Sequence, residues 1–107
     1  MRNPSPSTTS VAEIVTFRLT PDTSSGDFIT AAKNTDPFLR ATGQVLSRTL
    51  SCDADGLWTD HITWRSMQAA QDSAAKAMQH PDFAPFLSMI APQDMTMRHA
   101  PVLMQMD

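Results

Sequence analysis

Residues 57–70 read Leu-Trp-Thr-Asp-His-Ile-Thr-Trp-Arg-Ser-Met-Gln-Ala-Ala. Trp58, Asp60, Ile62 and Trp64 recur at every second position, the period of a strand with one face turned inward. The strand runs through Arg65-Ser66 straight into an alanine-rich helix over 67–79, with Ser66 placed to cap it. Upstream, 44–52 forms a hairpin partner. The join is Asp53-Ala54-Asp55-Gly56, residue types that tolerate the backbone angles of a tight turn. A later helix and strand complete the set.

The first half of the chain supplies the matching elements. Val11, Val15, Phe17 and Leu19 alternate over 11–20, with Glu13 interrupting the apolar pattern, and Pro21-Asp22 ends that strand. Ser24, Ser25 and Asp27 are candidate caps for a helix whose apolar face holds Phe28, Ile29, Ala32 and, later, Phe38-Leu39. Asp36-Pro37 breaks it, because proline removes an amide donor and clashes with the preceding turn. Asp36 is then placed to cap a second short helix with Pro37 at its first position, closed by Gly43. His80-Pro81-Asp82 ends the helix of 67–79. Phe83, Phe86, Leu87 and Ile90 make a short helical piece, and the last strand is expected over 95–106. The order strand, helix, strand, strand, helix, strand is the ferredoxin-like βαββαβ arrangement. The expected fold is α+β, a four-stranded antiparallel sheet with helices on one face. It occupies 11–107, after a disordered polar arm over 1–10.

The chain has 107 residues, enough for one domain with a modest core, to which oligomerisation would add burial. Its net charge is −3 and its eight Lys and Arg are scattered, which excludes nucleic acid as the main partner. No apolar run approaches the ~18 residues of a membrane span, and the N-terminus has no signal-peptide core, so a cytoplasmic location is expected. Cys52 is alone, and no pair among the three His and the acids has metal-ligand spacing. Only three Gly are present and none forms a phosphate-binding loop, so neither metal nor cofactor is expected.

Alternation places Trp58, Asp60, Ile62 and Trp64 on the face under the helices. If Cys52 lies opposite Leu57, Thr49 lies opposite Asp60 and Val45 opposite Trp64. Ser47 and Ser51 then share that face, while Leu46, Arg48 and Leu50 join His61 and Thr63 on the other. A carboxylate between two tryptophans is desolvated unless donors reach it. Asp60 therefore reads as a general base or substrate anchor, or as a structural group bonded to Thr49, Ser47 or a neighbouring positive residue. Trp64 and Trp58 offer flat faces for an aromatic molecule, or plugs for the core. His99 is the candidate for proton chemistry, since imidazole exchanges a proton near neutral pH. With the last and third strands flanking the first, His99 and Asp60 stand two strand spacings apart, ~9–10 Å. The alternative for His99 is a surface or interface position. Met78, Met89, Met95 and Met97 are placed to fill the core or line an adaptable pocket, and Met104 and Met106 to dock on a second subunit.

Several of these segments together resemble the dimeric α/β-barrel proteins of the antibiotic biosynthesis monooxygenase superfamily. They are Thr16-Phe17-Arg18-Leu19, Asp36-Pro37-Phe38-Leu39-Arg40, the run from Asp60 through Trp64, Ser66 and Met67 to Ala69-Ala70, and Met97-Arg98-His99-Ala100. The resemblance spans about residues 11–103, and the Trp-x-Ser-x-x-Ala joint is its most specific part. It implies a homodimer whose two sheets face each other as a barrel, with a pocket between sheet and helices in each subunit. Relatives oxidise polycyclic phenols to quinones with oxygen and no cofactor, degrade haem, or have no assigned reaction. Phenol-oxidising relatives carry Asn four residues before the Trp, where this chain has Asp60. Haem-degrading relatives carry Asn at the place of Phe17 and His near Ala74, so haem degradation is not expected here. The resemblance thus implies a cofactor-free oxygenase acting on an aromatic or phenolic substrate. Asp60 or His99 would be the base, Phe17, Trp58 and Trp64 would hold the ring, and Thr49 and Ser47 would stand beside Asp60. The alternative is a ligand-binding or structural dimer without turnover.

Overall fold

The expected order of elements is present in the computed structural model, which describes residues 9–106. Strand β1 is Val11–Phe17, helix α1 Ser25–Lys33, helix α2 Asp36–Ala41, strand β2 Val45–Cys52 and strand β3 Trp58–Trp64. Helix α3 is Met67–Ala77, helix α4 Ala84–Ser88 and strand β4 Thr96–Pro101. The sheet is antiparallel with spatial order β2-β3-β1-β4. This is the α+β ferredoxin-like architecture. Of the expected N-terminal arm, residues 1–8 lie outside the described residues. Thr9 and Ser10 are half-buried, and the Ser10 carbonyl accepts a bond from the Val102 amide at 2.9 Å.

The core lies between one sheet face and the helices. Phe28, fully buried on α1, packs at its centre. Its ring stands 5.4 Å from Phe17, 4.9 Å from Trp58 and 5.1 Å from Phe86. Helix α3 closes over the other end of the sheet through Ala69, Ala70 and Ser73. Small residues on that face let the helix axis lie close to the strands. Its start is fixed as expected: the Ser66 hydroxyl accepts from the Ala69 amide at 3.0 Å. Ser66→Ala removes that bond and leaves an amide unpaired, so unfolding in urea should show a loss of about 1 kcal/mol.

Four local expectations are corrected. Strand β1 stops at Phe17, and Leu19 continues only as an isolated bridge to Ile90. Strand β4 stops at Pro101, and after one further bond from the Val102 amide to Ser10, residues 103–106 leave the sheet. The α1–α2 break falls where Asp36-Pro37 predicts, but Thr35 takes the cap position. Its hydroxyl donates back to the Ala32 carbonyl at 2.6 Å, which leaves the Asp36 carboxylate free for another partner.

The fourth correction concerns register. Five residues, 53–57, form the hairpin loop, held by the Asp53 carboxylate accepting from the Asp55 and Leu57 amides at 2.9 Å each. Gly56 supplies the positive φ of 84° that the turn needs. Cys52 therefore lies opposite Trp58, and Leu50, not Thr49, lies opposite Asp60. A shift of one residue turns every side chain to the other face. Arg48 and Leu50 consequently lie under the helices, while Thr49 and Ser47 pair with His61 and Thr63 on the open face. A bulge at Leu46 restores the expected pairing of Val45 with Trp64.

Candidate functional site

Cross-strand pairing arranges the helix-facing side of the sheet in rows. Leu50, Asp60, Val15 and Met97 make one row, and Arg48, Ile62, Glu13 and His99 the next. Trp64 and Val11 follow at one end, Trp58 and Phe17 at the other. Two polar clusters stand within this apolar surface.

The first centres on Arg48. Its Nε and Nη2 donate to the two carboxylate oxygens of Asp60 at 3.0 and 2.8 Å. Its Nη1 donates to the Thr35 hydroxyl at 2.8 Å and to Asp36 at 3.1 Å. The guanidinium also lies 5.6 Å from the centre of the Phe86 ring. The side chains of Arg48 and Asp60 are 12% and 7% exposed, so this pair is withdrawn from water. Burial alone lowers the Arg48 pKa, but the bonds and charges of Asp60 and Asp36 outweigh it and raise it above the ordinary arginine value. The forked guanidinium matches the carboxylate bidentately, a geometry lysine cannot reproduce. Both Asp60 oxygens are thereby occupied, by the neighbouring positive residue and not by Thr49 or Ser47.

The second cluster is a dyad. Glu13 points inward from β1, with its side chain 10% exposed, and its Oε1 is 3.1 Å from His99 Nε2 on β4. A carboxylate only accepts, so Nε2 donates in this contact. One row along, the indole nitrogen of Trp64 is buried and has no acceptor among the described residues. An unpaired buried donor costs stability, so a water or a bound molecule there would supply a missing acceptor.

The structure thus places Phe17, Trp58, Asp60, Trp64 and His99 on one face, as expected. It does not bring Asp60 and His99 to one row, and Met97 is the β4 residue in line with Asp60. Phe17 is fully buried against Phe28. Met78, Met95 and Met97 are exposed and not core fillers, whereas Met89 packs against the core. Sequence reading passed over two residues. Glu13 was visible as a carboxylate at a core-facing strand position. Arg48 was hidden by the one-residue register error.

A groove of about 720 Å³ opens at the outer edge of β2, between that strand and helices α1 and α2. Leu39, Leu50 and Trp58 border it on the apolar side, and Asp36, Arg40 and Arg48 on the polar side. Of the expected site residues, Trp58 and Ser47 border it. Among the described residues, no three of His, Cys, Asp and Glu converge on a point where a metal ion would sit. No helix among them is long and apolar enough to cross a membrane.

No family model matches the chain, and no curated protein matches it. Solved structures do. SnoaB, a cofactor-independent oxygenase from Streptomyces nogalater, is 14% identical with a TM-score of 0.68, covering 92% of this chain and 96% of its own. A Bordetella bronchiseptica structure named provisionally as an antibiotic biosynthesis monooxygenase is 13% identical. Its TM-score is 0.75, over 90% of this chain and 99% of its own. One from Caulobacter crescentus with the same provisional name is 12% identical, with a TM-score of 0.73 over 92% and 93%. At these identities the likeness is one of fold. The chain has the fold of the antibiotic biosynthesis monooxygenases along nearly its whole length.

Proposed function

We propose that this chain is a homodimeric member of the antibiotic biosynthesis monooxygenase superfamily. In this reading it oxidises a small phenolic or other electron-rich aromatic molecule with dioxygen and no cofactor, using His99 as its base. The observation that carries the reading is the His99–Glu13 contact of 3.1 Å on the sheet face that also holds Trp64. Glu13 fixes the ring and balances the positive charge that forms when Nδ1 takes the phenolic proton. The phenolate so formed is electron-rich enough to reduce oxygen. Carbon–oxygen bond formation gives a ring hydroperoxide, and loss of water then leaves the quinone, so one phenol and one dioxygen yield one quinone and one water. In this reading the Trp64 indole hydrogen, buried and without an acceptor among the described residues, would turn to the developing peroxide oxygen, since fixed donors aimed at growing charge are effective in this way. Asp60, held by Arg48, serves as a fixed wall of the site. Two copies joined through the open sheet face, which carries Ile14, Thr49 and His61, complete the dimer.

Chelator-treated protein should consume oxygen with members of a panel of naphthols and larger monohydric phenols, one dioxygen per quinone formed. No oxygen uptake with any member of the panel would remove the enzymatic reading. One observation favours a second reading, a ligand-binding protein without turnover: Asp60 has no free oxygen and Phe17 and Phe28 fill the adjacent core. That reading expects quenching of the tryptophan fluorescence by the same panel with no oxygen uptake.

A further inference from the structure

The groove at the β2 edge is separate from the proton chemistry placed on β4. Strands β3 and β1 stand between them, three strand spacings or ~14 Å across the sheet. A volume of about 720 Å³ is that of a small-molecule site. Helix α1 turns Ser25, Ile29, Ala32 and Lys33 toward it, the spacing of one helix face. Strand β2 adds Leu46 and Leu50, and Trp58 on β3 lies beneath. Ile29 and Leu46 stay 39% and 45% exposed at the rim, so the walls are apolar up to the opening.

The two ends of the groove differ in charge. Strands β1 and β2 both run antiparallel to β3, so they point the same way, and α1, which carries the chain back between them, runs against β2. Ser25 thus lies toward the Cys52 end of β2 and Lys33 toward the Val45 end. Arg40, in the last turn of α2 just before β2 begins, joins Lys33 there. Arg48 is committed to Asp60, Thr35 and Asp36. Lys33 and Arg40 have no carboxylate within 4.0 Å among the described residues. Asp36 is the carboxylate that lines the groove, and Arg48 already holds it. The Val45 end is therefore positive, in a chain of net charge −3. Toward Cys52 the lining is Leu50, Trp58 and small uncharged residues.

We propose that this groove binds a medium-chain alkyl carboxylate, its head on Lys33 and Arg40 and its chain laid over Leu50 and Trp58 toward Cys52. Opposite charges meet at one end and apolar surface is buried at the other. The rise of α1 from Ser25 to Lys33 is ~12 Å, the reach of a medium alkyl chain. Aliphatic walls at Ile29, Leu46 and Leu50 suit such a chain better than a flat ring. Lys33 and Arg40 also stand in last helical turns, where the dipole favours a cation, so their charges must be tested by ligand selection. Binding here requires neither the oxidation nor the dimer proposed above.

Decanoate is titrated into the full chain by calorimetry, below its micellar concentration, beside decanol and decylammonium. Decanoate should saturate at one per chain, and both comparators should bind about tenfold more weakly, as expected for the loss of two partly screened charge pairs. Bound decanoate should slow the reaction of Cys52, the only cysteine and an exposed one, with a neutral maleimide, because the chain end covers the thiol. Lys33→Gln with Arg40→Gln should bring decanoate down to the level of decanol. Lys33→Arg with Arg40→Lys should keep its affinity, and both pairs should leave the urea midpoint in place. No saturable binding of decanoate would overturn the proposal. Equal binding of decanoate and decylammonium, or full affinity in the double Gln variant, would overturn it as well. Binding that leaves the Cys52 rate unchanged would put the ligand elsewhere and overturn it equally.

Discussion

Arg48→Ala should destabilise the fold by about 3 kcal/mol in urea unfolding, a large fraction of the stability of a domain this size. The loss comes less from the missing attraction than from what remains. Asp60 keeps a carboxylate that is 7% exposed, with no cation beside it and core residues Ile62 and Trp58 as neighbours on its strand. Thr35 and Asp36 lose the same donor. Replacing both members of the pair, Arg48→Met with Asp60→Leu, should recover most of the loss, because an apolar pair needs no desolvation. Arg48→Lys should fall between, since an ammonium cannot span both Asp60 oxygens while also reaching Thr35. If Arg48→Ala unfolded like the unmodified chain, the cluster would contribute nothing, and Asp60 would be free for the role that sequence reading gave it.

His99→Ala should lower oxygen consumption per enzyme by about 10²–10⁴-fold, the usual worth of a positioned base, with little change in the urea midpoint. The ring is partly exposed on an edge strand, so its removal opens no large cavity. Glu13 acts through His99 and is a positioning residue. Glu13→Gln keeps the shape and the acceptor but loses the charge, so it should reduce turnover less than His99→Ala and alter its pH profile. The profile is the distinguishing readout, because a merely structural Glu13 would change stability and leave the pH dependence of turnover in place. Equal turnover in the unmodified and His99→Ala chains would move the base elsewhere.

The fold was legible because its signals are local. Ser66 before an alanine-rich helix, Asp36-Pro37 within an apolar helix and Asp-Gly in a turn each act over a few residues, and all three appear where sequence places them. The order of strands followed from connection rules that need no side-chain detail. The site was less legible because it depends on register. A loop of five residues instead of four carried Arg48 from the open face to the helix face, and with it the identity of Asp60's partner. Glu13 illustrates a different limit. Its inward position was readable from the period of two, but its bond to His99 joins residues 86 apart in sequence through a pairing of β1 and β4 that no local pattern specifies. The end of β4 at Pro101 was also hidden, because the apolar residues beyond it, Val102, Leu103, Met104 and Met106, continue to look like strand.

The most direct test of cofactor-free oxygenation is the fate of labelled oxygen. Metal-free protein is given ¹⁸O₂ and a monohydric phenol that it consumes, and the quinone is reduced to the quinol at once to prevent exchange with water. The proposed chemistry predicts one labelled atom in the product and one in water, with His99→Ala forming product only at a small fraction of the rate. A product without label, or hydrogen peroxide in its place, would contradict oxygen insertion and leave the chain as a binding protein on a monooxygenase fold.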